Sequence, residues 1–306
     1  MGAIFCLLSA IGFGAMAVFG KLAYDDGVGV ADLLLVRFGI AALVMLAIVR
    51  WRGGMAGLPR RTAVAAFLMG ALGYAAQSAS YFAALERIDA SLLTLLLYVY
   101  PVLVMVGAVL LGRERWSARR LTALGLALLG ILLVLSAAVG HRFDWMGVGL
   151  GLTAGVVYTA YILAGDRVVA GVPPLPLTTL VCCGAFTTYA VASAVRGGPT
   201  FGFGPAGWGW LVAVALVSTV ASILLFFAGL ARVGPSVASI LSVLEPVVTV
   251  GSAAAVFGES LSPVQLVGGA FVLAAVLAVQ WPGRAARQVT SPGAALRMTR
   301  RVHEPT

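Results

Sequence analysis

Leu241-Ser242-Val243-Leu244-Glu245-Pro246-Val247-Val248-Thr249-Val250 sets an acid beside a helix-breaking proline inside an otherwise apolar run, residues 235–257. In a bilayer that pairing is costly twice. An ionised carboxylate near the centre of a spanning helix costs about 2.5–3.5 kcal/mol on insertion scales. Pro246 has no N–H for the Ser242 carbonyl four residues back, so the helix is expected to kink there. A stretch carrying both costs is expected to line a polar cavity. The same frame occurs earlier as Tyr98-Val99-Tyr100-Pro101-Val102, with Tyr100 in the place of the glutamate.

Around these stretches the chain is 61% hydrophobic and 10% charged, with a mean hydropathy of +1.04. A spanning helix needs roughly 20 apolar residues, and ten stretches qualify: 3–21, 30–49, 63–84, 90–111, 119–137, 146–165, 175–195, 207–230, 235–257 and 263–281. Runs of this length exclude a transmembrane β-barrel, whose strands need only about 9–11 alternating residues. The expected fold is an all-α membrane protein of ten transmembrane helices. Its first apolar run lacks a basic leader and a small-x-small cleavage site, so it reads as a retained span. Cys6, Cys182 and Cys183 fall within spans without metal-ligand spacing and read as small packing residues.

The net charge of +9 reads as the basic bias of cytoplasmic loops rather than as a nucleic-acid surface. With the N-terminus inside, fifteen of the twenty Lys and Arg fall on cytoplasmic loops and the tail. Lys21, Arg87, Arg142 and Arg196 fall outside, and Arg37 lies within a span. Both termini are therefore expected in the cytoplasm of a cell with the protein in its cell (inner) membrane. Residues 283–306 read as a disordered basic tail near anionic headgroups.

Displacing the chain by 145 residues lays 84–134 on 229–279 without a gap, and thirteen of those 51 positions are identical. Arg87/Arg232, Ser91/Ser236, Pro101/Pro246 and Glu114/Glu259 are among them. The same displacement lays spans one to five on spans six to ten. Five is odd, so the second half should be inverted relative to the first, the plan of many secondary transporters. Loops with four arginines each in the first half correspond to loops carrying only Arg196, or no Lys or Arg, in the second. The expected units are 1–140, 141–282 and the tail 283–306.

Val36-Arg37-Phe38, Tyr100-Pro101-Val102 with Glu114, Leu244-Glu245-Pro246-Val247 with Gly258-Glu259, then Gln265 and Gly268, follow one another at repeat spacing. In this order they resemble the EamA family of the drug/metabolite transporter superfamily over residues 3–281. Arg120 stands where the first repeat should match Gln265, a departure from the pattern. The resemblance implies two five-helix repeats and export or exchange of small metabolites, often amino acids or their relatives.

Polar positions that differ between the halves are the candidates for specific function. Glu245 corresponds to Tyr100, and Arg37 to Cys182. Two readings stand for Glu245: an acid tied to backbone groups freed at the Pro246 kink, or a cavity acid that binds a cationic group or a coupling proton. Arg37 either snorkels outward or forms a structural ion pair, or it faces the cavity and grips a carboxylate or phosphate. If both line facing walls of one cavity, a zwitterion fits between them. Tyr74, Gln77, Ser78 and Tyr81 share one face of span three by their i, i+3, i+4, i+7 spacing. Span four adds Tyr98 and Tyr100, and span six adds Tyr158. Pro101, Pro246 and Ser242 are the helix-break positions. Glu114, Glu259, Arg87 and Arg232 read as structural.

The composite expectation is a secondary transporter for a small polar metabolite, possible proton coupling running through Glu245, acting as a monomer or homodimer with no cofactor and no nucleic-acid partner. A broad-specificity exporter of drugs or toxic compounds is the alternative. A membrane-embedded enzyme is further off, because His141 and His303 lie in a loop and the tail and no span gathers a nucleophile–base or metal set. No Walker loop is present to grip ATP.

Overall fold

The computed structural model describes residues 1–52, 54–55, 58–112, 118–138, 144–168, 173–226, 228–229, 232, 241–242 and 244–280. They form helices joined by short turns. In chain order these are α1 (Gly2–Gly14), α2 (Met16–Asp25), α3 (Val30–Trp51), α4 (Arg60–Leu68), α5 (Ala75–Leu85), α6 (Ala90–Leu97) and α7 (Tyr100–Leu110). There follow α8 (Ala118–Ala138), α9 (Trp145–Val168), α10 (Pro174–Val195), α11 (Pro205–Ala215), α12 (Leu244–Phe257) and α13 (Pro263–Gln280). Among the described residues seven continuous helical runs are long and apolar enough to cross a membrane, and Leu244–Phe257 and Pro263–Ala275 are shorter apolar helices.

Two of the long runs change pitch midway. Between α4 and α5, Met69–Tyr74 winds as a π-helix, and after α11 Leu216–Ala221 does the same. The second widening has a local chemical partner. Thr219 Oγ1 and Ser222 Oγ donate to the carbonyls five residues back, Val214 at 3.0 Å and Val217 at 2.7 Å. Such single wide turns mark functional sites in helices.

A third run breaks at Pro101. Pro101 cannot donate to Leu97, and α6 ends there, with Tyr98 and Val99 forming a turn before α7. The matching break before Pro246 touches residue 243, outside the described residues.

Packing brings the two ends of the chain together. Thr249 on α12 donates to the Gly14 carbonyl of α1 at 2.9 Å, and Ser9 donates to the Ser222 carbonyl at 2.7 Å. A Cβ on Gly14 would lie 2.8 Å from the Glu245 carbonyl, so glycine lets α1 approach the acid-bearing helix. The main core joins Leu33 and Phe38 of α3 to Phe82 and Leu85 of α5, Leu93 and Leu96 of α6, and Leu211 and Val214 of α11. Trp51 and Trp145 are exposed near helix ends, whereas Trp210 donates its indole N–H to Asp26 at 2.8 Å. Glu114, Trp281 and the expected tail lie outside the described residues.

Candidate functional site

Glu245 stands in the first turn of α12 and lines two neighbouring cavities. The larger, about 320 Å³, is walled by Phe13, Tyr74, Tyr100, Tyr158, Tyr161, Phe226, Leu177, Thr178, Val181, Cys182, Ile223, Ser242 and Glu245. The smaller, about 100 Å³, is bounded by Arg37, Tyr74, Gln77, Ser78, Tyr81, Phe82, Phe13, Met16, Leu97, Tyr100, Tyr158 and Glu245. Phe13, Tyr74, Tyr100, Tyr158 and Glu245 belong to both and form the partition between them.

The carbonyl that Pro246 strands is satisfied across the bundle. Tyr98 donates its hydroxyl to the Ser242 carbonyl at 3.0 Å and lies 3.4 Å from Glu245 Oε2. One side chain thus closes the backbone break and touches the acid beside it. Tyr98 itself is buried and is the one candidate tyrosine of spans three, four and six that borders neither cavity.

Arg37 neither snorkels nor forms an ion pair among the described residues: it is 2% exposed. Its Nε donates to Thr219 Oγ1 at 2.9 Å, on the widened turn of the α11 run. Its guanidinium carbon lies 4.9 Å from the Phe38 ring centroid and 5.2 Å from that of Phe82. Cation–π contact with two rings offsets part of the desolvation of the charge. A buried guanidinium without a carboxylate remains costly, by several kcal/mol. The structure therefore brings Arg37 and Glu245 to one small cavity without pairing them.

The stripe on span three arrives together: Tyr74, Gln77, Ser78 and Tyr81 all border the smaller cavity, with Ser78 Oγ donating to Gln77 Oε1 at 3.3 Å. Ser242 borders the larger one, while Pro246 is buried. Nothing is described of the Pro101 side chain beyond its place in the first turn of α7. Cys182 packs with Ala41, Ala42 and Met45, yet its other side forms cavity wall, which corrects the reading of the cysteines as packing alone. Phe13, Met16, Phe226 and Thr219 were not anticipated.

The two linings share seven repeat-related positions. Displacement by 145 residues converts Phe13, Met16, Arg37, Ser78, Tyr81, Leu97 and Tyr100 of the smaller cavity into Tyr158, Tyr161, Cys182, Ile223, Phe226, Ser242 and Glu245 of the larger. The same displacement pairs Tyr74 with Thr219, the partner of Arg37.

Glu259, between α12 and α13, has a different task. Its carboxylate accepts from the N–H groups of Ala90 and Ser91, both at 3.1 Å, and from Ser91 Oγ at 2.8 Å, capping α6. It also pairs with Lys21 Nζ at 2.8 Å. Burial acts to raise its pKa, but Lys21 and the Ser91 donors outweigh that and hold the carboxyl below its ordinary value.

Comparison with known proteins agrees with this arrangement. Residues 1–136 and 145–281 each match the EamA-like transporter family. An uncharacterized transporter from Archaeoglobus fulgidus is 30% identical over 228 residues, 74% of this chain and 77% of its own length. The uncharacterized transporter YyaM from Bacillus subtilis is 26% identical over 207 residues, 65% of this chain and 68% of its own. A solved crystal structure, 17% identical, superimposes with a TM-score of 0.66 over 95% of this chain and 99% of that one, a likeness of fold. Two family matches, the long apolar helices and a polar cavity within them lead to one conclusion: the chain belongs to the EamA-like family of drug/metabolite transporters, and is a multi-pass membrane transporter rather than an enzyme.

Proposed function

We propose that the protein is a secondary transporter that exports or exchanges a small zwitterionic metabolite, an amino acid or a relative, by alternating access. In this reading residues 1–140 and 141–282 are inverted five-helix repeats, and both termini lie in the cytoplasm. The reading rests on one observation: Arg37 and Glu245 border the same small cavity and are not paired with each other. A carboxylate of the substrate meets the guanidinium, and its ammonium group meets the acid. Glu245 also serves as the site of proton exchange if transport is proton-coupled.

The related linings supply the mechanism. With the ends inside and ten spans alternating, the larger cavity lies toward the cytoplasm and the smaller toward the opposite face. Because seven positions of each lining are repeat images of seven in the other, rocking one half against the other exchanges their shapes in this mechanism. The partition of Phe13, Tyr74, Tyr100, Tyr158 and Glu245 stays with the substrate throughout.

Purified protein in liposomes, given labelled amino acids and related metabolites at two imposed pH gradients, tests this. Wild-type protein moves a zwitterion, whereas Glu245→Gln and Arg37→Gln each cut transport at least tenfold. Wild-type turnover in both variants sinks the reading. Counterflow that proceeds without a gradient identifies exchange, and stimulation by a proton gradient lost in Glu245→Gln identifies coupling.

A further inference from the structure

The larger cavity differs from the smaller in its chemistry. Glu245 is the one charged residue among the described residues that line it, and aromatic rings make up much of the remaining wall. Tyr100, Tyr158, Tyr161 and Tyr74 form an unbroken series, with successive ring centroids 4.6, 6.1 and 5.7 Å apart. Phe13 closes the wall beside Glu245, on the α1 helix that Gly14 brings against α12. Ring faces carry negative potential and attract cations without demanding N–H donors in fixed directions. A single acid within such a wall satisfies the charge of an ammonium while leaving its substituents free to be methyl groups.

We propose that the larger cavity is an aromatic cage for a substituted ammonium group, so that the substrate class extends to N-methylated and quaternary amines. This rests on the transporter reading for its physiological meaning, but binding can be measured without transport. A site built to grip a primary ammonium needs several acceptors around the nitrogen, and each methyl group then removes one bond. A cage of rings gains contact with each methyl instead.

The test uses the full chain purified in detergent and isothermal titration with three probes: phenethylamine, its N,N,N-trimethyl derivative and phenylacetate. The expected result is binding of the trimethylated cation at least as tight as that of the primary amine, and at least tenfold tighter than that of phenylacetate, which lacks the ammonium. Phenylacetate binding as tightly as the cation overturns the cage. Tyr158→Phe keeps the ring and holds the affinity within about threefold, while Tyr158→Leu weakens the trimethylated cation about tenfold, near 1.4 kcal/mol. Tyr100→Phe and Tyr100→Leu repeat the comparison should a Tyr158 variant misfold. A tenfold or greater loss on trimethylation overturns the cage, as does equal affinity in the Leu and Phe variants. The two proposals fail separately: cation binding without zwitterion transport overturns the proposed function alone, and zwitterion transport with trimethylated cations excluded overturns the cage alone.

Discussion

The hydroxyl of Tyr98 donates to the Ser242 carbonyl, the group that Pro246, four residues on, has no N–H to serve. Tyr98→Phe removes that donor at almost constant volume. Loss of one such hydrogen bond costs about 0.5–1.5 kcal/mol, so the variant should melt lower in detergent while Tyr100→Phe, whose ring stays in the cavity wall, changes little. Equal melting of the two variants would remove Tyr98 from this role. Thr219 presents a second residue-scale case. It accepts from Arg37 Nε at 2.9 Å and donates its own hydroxyl to the Val214 carbonyl. Thr219→Val should raise the KM for a carboxylate-bearing substrate about three- to tenfold, or about 0.7–1.4 kcal/mol. Thr219→Ser should restore it. Arg37 and Glu245 were legible in the sequence because an ionisable side chain in an apolar helix has few inexpensive explanations. Thr219 was not, since a threonine hydroxyl ordinarily returns to its own helix, as Thr94 and Thr159 do here. Phe13 and Met16 carry no polar group to mark them, although the repeat pairs them with Tyr158 and Tyr161.

At the scale of elements, span positions followed from run length, and the break after α6 followed from Pro101. The π-helical turns did not, because they depend on which neighbour presses against the helix. Met69–Tyr74 lies against α10 so closely that a Cβ on Gly70 would collide with the Val181 backbone, and one on Gly184 with that of Phe67. Gly70→Val should therefore unfold the protein or move α10, with a loss of several kcal/mol, whereas Gly149→Ala, with nothing within 4 Å, should be neutral or stabilising by about 1 kcal/mol. Thermal melts of both variants check the contrast. Glu259 ties three elements at once by capping α6 and pairing with Lys21 at the end of the α1–α2 run. Its carboxyl is held below the ordinary value of 4.5, so the stability it contributes is fully present above that pH. It is lost as pH falls through the lower, folded value. Wild-type protein and Glu259→Gln should differ most in melting temperature at pH 7, and converge as the pH drops below about 4.5. A gap that stays constant down to pH 3 would assign the difference to packing instead.

Across the whole molecule, the proposed alternating-access cycle assigns the unequal cavities to one of its two states. The smaller lies on the side where Lys21 clasps Glu259, and in the repeat frame their partners are Asp166 and Glu114, two acids that cannot make the same ion pair. On the proposed reading, this difference in sequence should bias the resting protein toward the state with the larger cavity open. Thiol accessibility tests this directly, because Cys182 and Arg37 are repeat-related positions in the two linings. With Cys6 and Cys183 replaced by alanine, Cys182 should react with a membrane-impermeant thiosulfonate from the cytoplasmic face of inside-out vesicles, and bound substrate should slow the reaction. With all three cysteines replaced, Arg37→Cys should react only from the opposite face, and at least tenfold more slowly. Opening the clasp by Lys21→Gln should then raise the second rate and lower the first, since one population gains what the other loses. Reaction of both positions from the same face would exclude the inverted arrangement, and rates unmoved by Lys21→Gln would separate the clasp from the equilibrium between the two states.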